Sequence, residues 1–454
     1  MSTMDMNVLM RTYTRKKRVL RFLIISTIVS LFAWLYLSYS GLPHLEIKTA
    51  GPRSSDSSMT TVTKRLINGM IEKDVLQRRM NHMRNICTTN VAKRYFLSIQ
   101  SPLGKNIYTY TPLERFTSKD VCFCKVPKSG STFWGRALYM ISHPEQAEEI
   151  ETYYGMEVHG ELFYRKAKPC TDSMINNAHS FMVTRDPWSR LYSSYIDKVY
   201  LEKFGEFTAE LLQIENRMSG REKDSNVSVE NECQSRAVSF EIVLRYVVAT
   251  SLSTKYELDP HFAPVALLCN PCRHHYAFFI KQERLNVETN FALDFLEVSG
   301  RLRSRLDMTD EGNYIEATVP NLVMTTITAF ERNKRSCLTK NDIYQRIWNV
   351  LQIQGLVSEE LDFPKEVFDN QESSVQIARA LTDYVLQNRL ETIAAGKQRT
   401  KFLEKAYAQV NQYVLRKVQG IFAMDFLLFE YGVNPPGFKK DDQIFIHTTA
   451  SKDN

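Results

Sequence analysis

Twice in this chain a short apolar run of strand length ends in a polar loop that opens a helix. The first run, Asp120-Val121-Cys122-Phe123-Cys124-Lys125-Val126, passes through Pro127-Lys128-Ser129-Gly130-Ser131-Thr132 into the helical stretch Phe133 to Met140. The second, Ser180 to Thr184, passes through Arg185-Asp186-Pro187 into a helix expected from Trp188 to about Phe204. A further strand is expected over Tyr276 to Ile280 and a helix over Phe240 to Thr250, with the remainder to about residue 430 mainly helical. Strands that alternate with helices in this way predict an α/β fold around a central parallel sheet flanked by helices. With 454 residues and 43% hydrophobic residues, the chain has ample material for a core, which excludes a disordered or collagen-like protein.

The amino terminus carries a separate message. Residues 1–21 hold six basic side chains (Arg11, Arg15, Lys16, Lys17, Arg18 and Arg21) against one acid, Asp5. They therefore carry most of the net charge of +7, and the nearly neutral body gives no case for nucleic acid. Phe22 to Tyr39 follows without charge, Pro or Gly, with Trp34, Tyr36 and Tyr39 toward its far end. This pattern predicts a single transmembrane signal-anchor over 22–39, with the basic tail cytoplasmic and the body lumenal. The following expected boundaries are a polar stem over 40–85, a lumenal domain over 86–433 and a polar tail over 434–454. Residues 64–86 show helical spacing of Leu66, Ile67, Met70, Ile71, Val75, Leu76, Met80 and Met83. Asn226-Val227-Ser228 forms a glycosylation sequon at Asn226, and the eight cysteines permit disulfides in an oxidising compartment. No metal site is expected, because Cys269-Asn270-Pro271-Cys272 lacks a second pair at suitable spacing. Cys122 and Cys124 alternate to one face of a strand and read as buried thiols.

The first loop has the chemistry of an anion cradle. A helix start leaves backbone N–H groups unpaired and carries partial positive charge. Gly130 permits close backbone approach, Ser129, Ser131 and Thr132 add hydroxyls, and Lys128 adds a full charge. The bland alternative is an ordinary helix start capped by Ser131 or Thr132. The order of Lys128 before Gly130 departs from the triphosphate-binding G-x-x-x-x-G-K-[ST] loop, which disfavours a kinase or triphosphatase. In the second loop Arg185 leaves a strand end and Ser193 follows two helical turns later, a pairing that suits a second anionic group. The alternative for Arg185 is a local salt bridge. Asp186 and Pro187 read as helix cap and first-turn proline.

Lys-Val-Pro-Lys-Ser-Gly-Ser-Thr-Phe-Trp followed by Thr-Arg-Asp-Pro-Trp-Ser-Arg-Leu-Tyr-Ser-Ser-Tyr-Ile-Asp-Lys resembles the two nucleotide-binding motifs of Golgi carbohydrate sulfotransferases. The resemblance is to the HNK-1, chondroitin and dermatan 4-O-sulfotransferase branch. Asp259-Pro260-His261-Phe262, Leu268 to Cys272, the residues Tyr276, Ile280, Lys281 and Glu283, and Ile421 to Tyr431 resemble further blocks of that branch. It implies a P-loop-like sulfotransferase fold and the donor 3′-phosphoadenosine-5′-phosphosulfate, with no metal. Lys128, Ser129, Gly130, Ser131, Thr132 and Phe133 then fall on the 5′-phosphosulfate site, and Arg185 and Ser193 on the 3′-phosphate site. The implied acceptor is a glycan or proteoglycan hydroxyl, first the 4-O of N-acetylgalactosamine. Lys128 would stabilise the leaving oxygen, and His261 is the first candidate for general base, with His159 and Glu283 in reserve. Trp134 and Tyr139 read as helix core. Ser131, Gly135, Ile196 and Phe262 stand where the branch usually has Cys, a basic residue, Arg and Trp, and the stretch 285–405 is longer than the family's. A kinase or triphosphatase, and a silent glycan-binding protein, are the competing classes.

Overall fold

Three strands, β2 (Val121–Cys124), β4 (His179–Thr184) and β5 (Phe278–Lys281), lie side by side and parallel, with Cys122 opposite Ser180 and Met182 opposite Phe279. They belong to a computed structural model that describes residues 73–98, 107–110, 121–151, 158, 168–177, 179–218, 238–252, 258–307, 311–333 and 338–438. The three strands are buried almost throughout. This is why they read as continuous apolar runs rather than alternating ones. The sheet is not wholly parallel as expected. Strand β1 (Ile107–Tyr110) pairs antiparallel with β2, and the two-residue β3 (Lys168–Pro169) pairs antiparallel with β1, giving the order β3-β1-β2-β4-β5. β1 reads Ile-Tyr-Thr-Tyr and β3 has two residues, so neither carries the continuous apolar run that marks the buried strands.

The parallel strands place both polar loops at one end of the sheet, at the exits of the neighbours β2 and β4. Aromatic packing fixes the first helix, Ser131–Ser142, against them. Trp134 is wholly buried and meets Phe181 edge-on at 4.9 Å, while Phe181 stacks on Phe278 at 5.3 Å. Contacts of this kind add about 0.5–1.5 kcal/mol each beyond area burial. Trp134 and Tyr139 are core residues, as read.

A second apolar cluster is helical. It gathers Trp188 and Leu191 of the Pro187–Tyr195 helix with residues of the helices Phe240–Ser251, Glu311–Arg332, Lys340–Ile353, Ser374–Gln387 and Gln412–Ile421. The helix expected from Trp188 to Phe204 is interrupted, because its α-helical part ends at Tyr195 and a five-residue π-helix, Ile196–Tyr200, follows. The polar stretch from 205 forms a helix over Gly205–Met218. The helix over residues 73–87 sends Leu76, Met80 and Met83 into the sheet-side core, so the folded body begins ahead of residue 86.

The reading of Cys122 and Cys124 as thiols is corrected. Cys122 bridges to Cys170, Cys124 to Cys269 and Cys87 to Cys272. The pair Cys269 and Cys272 is thus divided between two bridges rather than shared by a metal. Spacing along the chain could not show this, since the partners are 48 to 185 residues apart. The expected span 22–39, His159, Asn226 and the last 16 residues lie outside the described residues. Among the described residues no helix is long and apolar enough to cross a membrane.

Candidate active site

The first loop leaves β2 through Lys125, Val126 and Pro127, all buried. Two of its next three residues are left-handed, Lys128 at φ 66° and Gly130 at φ 82°. For lysine that conformation costs about 1–2 kcal/mol. A hydrogen bond helps hold it, since Arg185 Nη1 donates to the Lys128 carbonyl at 2.9 Å. Gly130 is the cap of the Ser131–Ser142 helix and no side chain caps it, so the alternative of a start capped by Ser131 or Thr132 is not what the fold uses. Ser131 is buried and Phe133 half-buried, packed edge-on against Trp134. Ser129 is 1% exposed, and its Oγ is buried without a hydrogen-bond partner.

The second loop is built differently. The Asp186 carboxylate accepts from the Ser189 N–H at 2.8 Å, and Pro187 occupies the first turn, both as read. Glu283, a reserve candidate for general base, is structural: Asp186 N–H donates to one of its oxygens at 2.8 Å and the Tyr431 hydroxyl to the other at 3.1 Å. Tyr431 also meets Thr184 Oγ1 at 3.0 Å, tying the carboxy-terminal block to the end of β4. Burial lowers the Arg185 pKa, opposed chiefly by the nearby Glu283 charge. Arg185 Nε is buried and has no partner. Ser193 lies half-buried on the same helix. Its neighbour Ser194 makes the structural bonds, donating to Arg190 O at 3.0 Å and to His261 O at 2.6 Å.

The π-helix carries Asp197 to the first loop. Lys128 Nζ donates to Asp197 Oδ2 at 2.8 Å, and Lys203 Nζ donates to Asp197 Oδ1 at 2.8 Å. Lys198 Nζ is 3.3 Å from Oδ2. Burial pulls Lys128 down to about 8 against the raising effect of Asp197, and Lys125 falls to about 8 for the same reason. Asp197 is held well below the carboxylate range by its three lysines, in spite of burial.

His261 joins this group from a third segment. Its Nδ1 is 2.8 Å from Asp259 Oδ1, and its ring meets Phe204 edge-on at 5.2 Å, with Lys198 Nζ over the Phe204 ring at 4.9 Å. Burial pushes the imidazole down to about 4, against the pull of Asp259. A neutral ring bonded to a carboxylate through Nδ1 carries its proton there, leaving Nε2 as an acceptor. Arg190 holds the segments together. Wholly buried, it donates to Pro127 O at 2.9 Å, Ala263 O at 2.6 Å and Pro260 O at 2.8 Å. Asp425 braces the far side, accepting from the N–H groups of Val265 and Ala266 at 2.7 Å each.

The structure therefore brings together Lys128, Ser129, Gly130, Ser131, Thr132 and Phe133 on one loop and helix start, joins Arg185 to them, and ties His261 in through Arg190. Sequence reasoning missed Arg190, Ser194, Asp197 and Lys203. Arg190 had a signal, a lone cation among Trp188, Leu191 and Tyr192. Asp197 had none for its bond to Lys128, which lies 69 residues away. Among the described residues no group of three or more His, Cys, Asp or Glu could hold a metal ion.

An uncapped helix start with a lysine, and an arginine at the next strand's exit, meet at neighbouring strand ends of an α/β protein. The family described as "Sulfotransferase family" matches residues 115–353, just over half of the chain, and the chain belongs to that family. It is similar to carbohydrate sulfotransferase 11 of Mus musculus, 24% identical over 188 residues, which are 40% of this chain and 52% of the relative. It is also similar to carbohydrate sulfotransferase 14 of Danio rerio, 25% identical over 211 residues, 43% of this chain and 53% of the relative. Carbohydrate sulfotransferase 8 of Mus musculus is 23% identical over 197 residues, 40% of this chain and 42% of that relative. The chain thus spans about half the length of the relatives it matches, and no solved structure matches it.

Proposed function

We propose that this chain transfers a sulfuryl group from 3′-phosphoadenosine-5′-phosphosulfate to a glycan hydroxyl, the 4-O of N-acetylgalactosamine in chondroitin- or dermatan-type chains being the acceptor. One observation carries the reading: the bond from Arg185 to the Lys128 carbonyl, which couples the two loops at the exits of β2 and β4. The buried, unpartnered Ser129 Oγ and Arg185 Nε suit a ligand with two phosphate-type groups. The names of the matching relatives support a carbohydrate acceptor. The three disulfides among the described residues support a body in an oxidising compartment, and with the apolar run 22–39 they fit a Golgi membrane protein whose catalytic part is lumenal.

When bound, the donor supplies an activated sulfuryl group on a phosphate leaving group. Ser129, Ser131, Thr132 and the backbone N–H groups of the helix start would hold one end, and Arg185 and Ser193 the other. The Lys128 ammonium places positive charge where negative charge develops, which is the larger part of such catalysis. His261 Nε2 takes the acceptor proton, while Asp259 fixes the tautomer and bears against the charge that forms. Because burial holds His261 down to about 4, its Nε2 is free to accept throughout the neutral range.

Offering the chain radiolabelled donor with a glycan panel, then mapping the sulfated position, tests the reading. Sulfate on a galactosamine 4-hydroxyl is the expected result. Nucleotide binding without transfer to any glycan would instead favour a silent binding protein. His261→Ala is expected to lower turnover about 10²–10⁴-fold with donor affinity unchanged. A large loss of donor binding would remove His261 from the base role.

A further inference from the structure

We infer that Asp197 is a positioning residue for Lys128, an internal counter-charge that holds the lysine in place until an incoming anionic group takes its place. The inference rests on the sulfotransferase reading and deepens it. Its ground is the arithmetic of one carboxylate among three ammonium groups. Asp197 Oδ2 accepts from Lys128 at 2.8 Å and lies 3.3 Å from Lys198, while Oδ1 accepts from Lys203 at 2.8 Å. Lys203 is fixed in turn by Thr325 Oγ1 at 2.7 Å, a residue of the Glu311–Arg332 helix in the second core. If Lys128 leaves Asp197 for a ligand, two cations remain on the carboxylate, so no buried charge is stranded. Had Lys128 been the sole partner, the exchange would cost the full desolvation of an unpaired acid.

The carboxylate also governs the charge state of the lysine. Asp197, Lys198 and Lys203 face Lys128 from the π-helix and the turn after it. The Arg185 guanidinium bonds its carbonyl from the end of β4, and Lys125, on its own loop, faces Lys198. The pair of Asp259 and His261 faces Lys198 and Asp197 from the third segment. Burial and two neighbouring cations draw Lys128 down, and Asp197 alone among the causes draws it up. A group whose charged form is needed for reaction loses activity as pH rises through its pKa, so the alkaline limb of kcat/KM, which reports the free enzyme, reads this balance.

The experiment compares pH profiles of kcat/KM for the whole chain and its variants, with calorimetric binding of adenosine 3′,5′-bisphosphate as a second readout. Asp197→Asn is expected to move the alkaline limb downward by about 1 pH unit or more. Asp197→Glu is expected to return it. Lys203→Met removes a competing cation and keeps the carboxylate, so its limb is expected to move upward, a sign that a merely structural role does not produce. An Asp197→Asn limb that overlays the wild type, or a folded Asp197→Asn chain inactive at every pH, overturns the inference. If that variant does not fold, Lys203→Met decides alone, and an unmoved or lowered limb overturns it. A wild-type chain that neither binds the nucleotide nor transfers sulfate overturns the sulfotransferase reading first, and the role of Asp197 falls with it.

Discussion

The two loops at the mouth of the sheet solve the same electrostatic problem in opposite ways. At the exit of β2 the helix start is left open, capped only by Gly130, which has no side chain to offer. At the exit of β4 the protein closes its own helix start, with Asp186 accepting from Ser189 N–H and Pro187 supplying no N–H at all. An anion at the first loop can therefore use backbone dipoles, whereas one at the second must be met by a side chain, chiefly Arg185. The first loop tolerates strain at Lys128 and takes its second left-handed residue, Gly130, without strain. The second is conformationally ordinary and presents one long side chain, Arg185. Mutations should separate the two designs by which property they damage.

The largest effect is expected at the open loop. Lys128→Ala should lower turnover about 10²–10³-fold, the usual loss when one charge-stabilising donor is removed. The fold should survive, because alanine bears the same left-handed backbone cost that lysine already bears and two lysines remain on Asp197. Single-turnover measurements check this, and near-normal rates would show that Lys128 is only a structural partner of Asp197. Arg185→Ala should act mainly on donor affinity, weakening adenosine 3′,5′-bisphosphate binding by about 1.5–3 kcal/mol, roughly 10–150-fold. Arg185→Lys should not restore it, since a single ammonium cannot both donate to the Lys128 carbonyl and keep a second planar donor for a ligand. Calorimetry on the two variants distinguishes them.

Gly130→Ala should have an intermediate effect. An added Cβ would meet Leu285 at 3.5 Å, an ordinary contact, so the cost comes from the positive φ and not from crowding. That cost is about 1–2 kcal/mol. It should appear in both nucleotide affinity and turnover, because a shifted φ re-aims the N–H groups that follow. An alanine variant with unchanged affinity would mean that the backbone of this loop contributes little.

These expectations rest on parts of the site that differ in how well the sequence reveals them. Lys128, Gly130 and Arg185 are legible because their roles are local: each follows a buried strand and opens a helix, and a dozen residues suffice to see it. The parallel core of the sheet is legible for the same reason, as β2, β4 and β5 are continuous apolar runs. Strands β1 and β3 are not, being held by pairing with β2 and with each other rather than by a pattern of their own. Asp197 and Lys203 act across tertiary contacts and through a π-helix that no spacing announces. Arg190 lies between these cases. Its apolar setting marks it as unusual, but only the fold shows that its three carbonyl partners belong to the Pro127 and His261 segments. The cysteine pairing is likewise a product of the fold.

The smallest effect on activity is expected at the closed loop, and it gives the sharpest test of the contrast. Asp186→Ala removes the side-chain acceptor for Ser189 N–H, which should cost about 1 kcal/mol of stability, read as a lowered denaturation midpoint. Asp186→Asn should recover most of that loss, since its amide oxygen can accept the same bond. Neither should alter nucleotide affinity much, because the backbone N–H of residue 186 still donates to Glu283 and keeps Arg185 at the strand exit. If Asp186→Ala instead tightened the binding of adenosine 3′,5′-bisphosphate, the freed helix start would be taking up the anion itself. The two loops would then be alike in kind, and the capping of the second would be a restraint on binding rather than a structural convenience.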